Sequence, residues 1–115
     1  MLTLPIKRKW FDMIVNGEKK EEYRDIKPYY DSRLLTMFGC IIVNGKLLQN
    51  IMPEIAREPE QKIMFRNGYS KNSPSCIALC RLQMGKGRPE WGADPDKDYY
   101  ILKILEVKEV INEKL

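Results

Sequence analysis

Histidine is absent from this chain, and with it the side chain that most often moves protons near neutral pH. Acid–base chemistry would fall instead to Lys, Glu, Asp, Tyr or Cys with a displaced pKa. Cysteine is scarce and odd in number. Cys40, Cys76 and Cys80 leave at least one thiol without an intrachain partner, and without histidine they complete no common zinc set. Cys76 and Cys80 share one strand face with Ala78 and Leu82, so they are expected as buried apolar groups; no metal site and no cofactor is expected. Long apolar runs are missing too: none approaches the roughly 20 residues of a membrane helix. The N-terminus lacks the basic, apolar and small-residue regions of a secretory signal. The expectation is a cytoplasmic protein with no membrane partner and an oligomeric state the sequence leaves open.

What is present fits one folded domain spanning residues 1–115, with 43% apolar and 31% charged residues. Repeats and low-complexity segments are absent. The net charge of +4 is unevenly spread. Residues 61–92 hold six bases (Lys62, Arg66, Lys71, Arg81, Lys86 and Arg88) against Glu90 alone, whereas residues 93–115 hold four lysines against six acids. A positive middle suits an anionic partner if those bases converge in space, and otherwise only solubilises the surface.

The chain is organised around Lys7 to Arg24. Trp10, Phe11, Ile14 and Val15 recur at helical spacing, and Gly17 is a natural stop because it accepts the left-handed conformation that closes a helix. Trp10 is expected in the core or as a barrel plug. Glu22-Tyr23-Arg24 then alternates as a strand does, with Glu22 and Arg24 on one face and Tyr23 on the other. Ahead of the helix, Thr3 to Ile6 reads as a first strand at an edge, where Pro5 is tolerated. After Pro28, Tyr29, Tyr30, Leu34 and Leu35 give a short second helix. Met37 to Val43 is strand-like, and Asn44-Gly45 is a hairpin turn with Lys46 to Gln49 returning. Ile51 to Pro59 reads as a loop or a short helix opened by Pro53, so residues 37–60 are a possible insertion or cover. Lys62 to Arg66 and Ser75 to Met84 read as strands joined by a polar turn at Asn67-Gly68. Gly85 to Gly92 is a loop, and Tyr99 to Val107 is a strand reaching toward Ile111. The pattern predicts a mixed α/β, mainly β fold: a small barrel with a helix after the first strand and a short second helix.

Three stretches could carry function. Lys7, Lys19, Lys20, Glu22 and Arg24 could line a cleft, the bases taking an anion and the carboxylate accepting from an exocyclic amine; equally they form surface ion pairs. Asn67, Tyr69 and Lys71, in a glycine-centred loop, suit an unpaired nucleotide: a ring to stack, an amide to read an edge, an ammonium for phosphate. The same composition describes a polar hairpin end. Gly85 to Gly92 is no P-loop, but it could place Arg88 and Trp91 at a pocket mouth, or use Trp91 as a lid over the core.

Taken together and in this order, Lys7, Trp10, Ile14, Gly17, Lys19, Glu22 and Arg24, with Phe65 to Tyr69 and Gly87 to Ala93, resemble the ASCH domain (activating signal cointegrator homology) of the PUA-like superfamily. The match leaves Met37 to Glu60 outside it. The resemblance implies a PUA-like β-barrel of about six strands with a cleft beside the first helix, lined by Lys7, Lys19, Glu22 and Arg24 and joined by Asn67, Tyr69 and Lys71. It implies binding of RNA, single-stranded nucleic acid or a modified nucleotide. One branch of the family consists of small amidohydrolases acting on N4-acetylcytidine through a Lys, a Thr three residues on, and a distant Glu. Here Lys19 stands at the Lys position and Glu22 at that of the Thr; the distant Glu has no identified match, Glu90 being one candidate. Lys19 and Glu22 are therefore the candidate catalytic pair, with Glu22 as general base for water. A protein-interaction role for residues 38–60 is the remaining alternative.

Overall fold

The computed structural model describes residues 1–49 and 57–113. The expected loop or helix opened by Pro53 falls largely outside them. Among the described residues, seven strands and two short helices follow one another as β1 (Leu2–Pro5), α1 (Arg8–Val15), β2 (Glu21–Asp25), α2 (residues 28–38), β3 (Cys40–Val43), β4 (Lys46–Gln49), β5 (Glu60–Arg66), β6 (Ser75–Lys86) and β7 (Asp98–Ile111), with a single 3-10 turn at Pro89–Trp91 between the last two. Five of the strands form one curled half-barrel sheet in the order β1-β5-β6-β7-β2, and β3 and β4 pair as a separate hairpin. Among the described residues only the β1 and β5 pairing is parallel, and β1 lies at one end of the strand order. β1 is thus an edge strand, as Pro5 required.

The curl has a local cause. Against β6, the long strand β7 carries an extra residue at each of two places, between the partners of Ile77 and Ala78 and between those of Leu79 and Cys80. Such bulges bend a strand and increase its twist. The concave face then closes around Leu4, Ile63, Phe65, Cys76, Ala78, Cys80, Tyr100 and Leu102, each at most 1% exposed. Phe11 and Ile14 of α1 and Leu34 and Phe38 of α2 fill the open side. The cysteines are buried thiols. Burial raises Cys76 to about 11 and Cys80 to about 12.

Two local expectations are corrected. Met37 and Phe38 are helical rather than strand. Helix α2 comprises Pro28–Tyr30, a wide turn at Asp31–Leu35 and Thr36–Phe38. Leu34 and Phe38, four apart, bury on one side, and Gly39 at φ 63 ends the helix. Tyr100 of β7 anchors this helix by donating its hydroxyl to Asp31 at 2.6 Å. Trp10 is the second correction. It is only partly buried against the core, and the rest of its ring lines a cleft.

The β3–β4 hairpin turns through Asn44 and Gly45, both at positive φ, as the sequence implied. Ile41, Val43 and Leu48 are exposed on it, and Ile41 pairs with Leu48. Among the described residues no helix is long and apolar enough to cross a membrane.

Candidate functional site

The two sheet edges, β1 and β2, approach each other without pairing, and a side-chain bridge spans them. Glu22 and Arg24 alternate inward on β2, opposite Leu102 and Tyr100 of β7. The Arg24 guanidinium donates to the Pro5 carbonyl on β1 at 2.7 Å and to Glu22 Oε2 at 2.7 Å, and reaches the Tyr30 hydroxyl at 3.3 Å. An edge carbonyl left without a strand partner is thereby satisfied by an arginine.

Lys19 arrives from the other side. Gly17, at φ 87, reverses the chain at the end of α1, and the Lys19 N–H reaches back to the Met13 carbonyl at 2.9 Å. Its side chain is thrown under Trp10. The ammonium donates to the Trp91 carbonyl at 2.6 Å, lies 3.2 Å from Glu22 Oε1, and stands 4.9 Å from the ring centres of both Trp10 and Tyr23. Lys19, Glu22 and Arg24 have side chains 0%, 8% and 10% exposed. They form one buried trio in which a carboxylate sits between two cations, each oxygen taking one of them. Burial lowers the Lys19 pKa below its ordinary 10.5, against the pull of Glu22. Burial also opposes the charge of Arg24 and is the largest single influence on it, but the attraction of Glu22 and the hydrogen bond to Tyr30 together outweigh it and the net shift is upward.

Trp91 is brought to Lys19 by the loop between β6 and β7. Gly87 packs where a side chain would strike Tyr23 and Ala93, and Gly92, at φ 98, lies where a Cβ would come within 2.9 Å of Trp10. The Tyr23 hydroxyl accepts from the Arg88 N–H at 2.9 Å and donates to Glu21 at 2.7 Å. Two glycines and one tyrosine thus seat the loop against β2.

Above the trio opens a cleft of about 310 Å3. Its walls are Trp10, Trp91 and Tyr30, its floor Glu22 and Arg24, and its rim carries Lys7 and Lys27. Lys7 and Lys27 are exposed and make no ion pair among the described residues. Beside it lies a second hollow of about 360 Å3 formed by Pro5, Ile6, Lys7, Asn67, Gly68 and Tyr69. The two share the Pro5 to Lys7 segment.

The sequence-derived residues therefore separate into groups. Lys7, Glu22, Arg24 and Trp91 line the cleft; Asn67 and Tyr69 line the neighbouring hollow. Lys19 lies behind the cleft wall rather than on it. Lys71 is exposed and lines neither cavity, while its carbonyl accepts from Asn112. Arg88 is exposed, with its guanidinium over the Trp91 ring and 3.7 Å from Glu90. The six bases of residues 61–92 do not converge: none lines the cleft or the hollow, and Arg81, Lys86 and Arg88 pair with Glu60, Asp98 and Glu90. Sequence reasoning missed Lys27 and Tyr30. The signal was there, a lysine and two tyrosines around Pro28, but only the meeting of α2 with the edge of β2 turns them into a cleft wall.

Fold and site together define a class: a mainly β half-barrel whose sheet edges are bridged by a buried ionic trio beneath an aromatic-walled, lysine-rimmed cleft. No protein-family model, no curated protein and no solved structure matches the chain significantly.

Proposed function

We propose that the cleft binds one unit of a single-stranded nucleic acid, RNA in the first instance, or a modified nucleotide of the same size. The observation that carries this reading is the convergence of two tryptophans, two tyrosines and two lysines that make no ion pair among the described residues on one opening of about 310 Å3. Small-molecule sites begin at roughly this volume. Aromatic faces stack any base, and unpaired ammonium groups on a rim take phosphate. The buried trio has a supporting part. Carrying one net positive charge when all three are ionised, it favours an anion above it, and through Trp91 it holds one wall in place. Kinship with the ASCH group of PUA-like proteins belongs to the same proposal, supported by the order of the motifs and by a cleft beside the helix that follows the first strand.

Filter binding and tryptophan fluorescence with short RNAs at low salt test it. Binding should quench Trp10 and Trp91, and Lys7→Ala with Lys27→Ala should weaken it and flatten its salt dependence. Failure of every RNA and DNA to bind at low salt ends the reading.

A second reading, hydrolysis of an N4-acylated cytidine, has one observation in its favour, the lowered proton affinity of Lys19. It requires the enclosed ammonium to exchange the Trp91 carbonyl for a substrate and Glu22 to free an oxygen from a cation. Acetate release from N4-acetylcytidine that disappears in Lys19→Ala would favour it over binding alone.

A further inference from the structure

Tyr69 is 97% exposed. The loop that carries it is nonetheless tied down. Asn67 donates its backbone N–H to the Pro74 carbonyl at 2.8 Å and its side-chain amide to the Ile6 carbonyl at 2.9 Å. Ser70 and Ser73 exchange bonds, the Ser70 N–H reaching Ser73 Oγ at 3.2 Å and the Ser73 N–H reaching the Ser70 carbonyl at 3.0 Å. Gly68, at φ 130, sits where a Cβ would strike the Ser73 side chain, so this turn is built on a glycine. An aromatic ring held out in water by a stapled loop buries nothing for the fold.

Its place relative to the cleft gives it a use. The hollow under Tyr69 and the cleft walled by Trp10 and Trp91 share Pro5, Ile6 and Lys7, and the Asn67 to Ile6 bond fixes the loop to that shared segment. Lys7 stands on the divide. Resting on the proposed nucleotide reading of the cleft, we infer that the hollow is a second subsite for the adjacent nucleotide of the same strand. Its base stacks on Tyr69, and the phosphate joining the two units lies over the Lys7 ammonium. The ligand is then a single-stranded oligonucleotide of at least two units, not a free nucleoside. Stacking on an aromatic is tolerant of base identity, so the second subsite adds affinity without sequence preference. Lys7 adds a salt-dependent share.

The test measures mononucleotides, dinucleotides and tetranucleotides, ribo and deoxyribo in parallel, against the intact protein and Tyr69→Ala. A dinucleotide should bind about tenfold more tightly than a mononucleotide, the usual scale of one stacked base. Tyr69→Ala should erase that gain and leave mononucleotide binding unchanged, with no shift in Tm because the ring covers no core. Lys7→Ala should cost the dinucleotide more than the mononucleotide. If mononucleotides bind and dinucleotides bind no better, or if Tyr69→Ala weakens both equally, the second subsite is overturned while the cleft reading stands. If no length binds, both fall.

Discussion

Replacing Glu22 with Gln keeps the shape of the buried trio and removes its only negative charge. Lys19 and Arg24, with side chains 0% and 10% exposed, are then left facing each other without a counter-ion. Removing one partner of a buried pair costs about 3–5 kcal/mol, since the remaining charge has been desolvated for nothing. Lys19 offers a way out that Arg24 lacks, because it can release its proton. From its ordinary pKa of 10.5, shedding the proton at pH 7 costs about 5 kcal/mol, at 1.36 kcal/mol per unit, and that bounds the lysine's share. At pH 9.5 the same bound is only about 1.4 kcal/mol. The sign follows from linkage. With Glu22 gone the native pKa of Lys19 falls further, so across the alkaline range the unfolded chain binds the proton that the native one has lost. Stability of the variant therefore gains on that of the parent as pH rises toward 10.5. Urea unfolding at pH 7.0 and 9.5 measures this, with m unchanged. A loss below about 1 kcal/mol at pH 7, or a loss that does not shrink by pH 9.5, refutes the account of a desolvated trio held by one carboxylate.

Further outcomes follow from the same geometry. Lys19→Met should be milder than Glu22→Gln, about 1–3 kcal/mol, because Glu22 keeps Arg24 and the main loss is the unpaired Trp91 carbonyl; thermal and urea unfolding rank the two. Gly92→Ala should cost about 1–3 kcal/mol and disturb the cleft, since the new Cβ would press on Trp10 at a positive φ, and near-UV circular dichroism of the tryptophans would register it. Phe11→Ala, at a fully buried position, should cost about 3–5 kcal/mol and Trp10→Ala distinctly less, as a cleft wall rather than core. Stability should also fall above pH 9. The thiols of Cys76 and Cys80 titrate near 9 when unfolded and only at about 11 and 12 when folded, so their contribution is complete below 9 and lost as pH climbs through those values. Cys80→Ala should flatten that part of the pH profile.

Much of the architecture was legible because its signals are local. Gly17 ended α1 and Asn44-Gly45 turned the hairpin, since both depend on backbone conformations that few residues adopt. The strands around Cys76 to Cys80 and Tyr99 to Ile104 announced themselves by apolar spacing alone. Met37 and Phe38 misled because they precede a β-branched run, whereas the burial of Phe38 four residues beyond Leu34 decides in favour of helix. Trp10 misled for a related reason. A helical stripe shows which side is apolar, but how much of that side is covered depends on what the sheet edges leave open.

The candidate site divides along the same line. Residue types and their alternation were enough to single out Lys19, Glu22 and Arg24 and to set Glu22 and Arg24 on one face of a strand, because side-chain direction along a strand follows the peptide geometry itself. What those groups face was not contained in their order. The Pro5 and Trp91 carbonyls that they hold come from residues 19 positions before Arg24 and 72 after Lys19, and Tyr30 and Lys27 join the cleft only because α2 folds against the end of β2. Charge desolvation is a property of the assembled surroundings. It was therefore the closing of the half-barrel that turned a run of surface-like charges into a buried bridge with an open cleft above it.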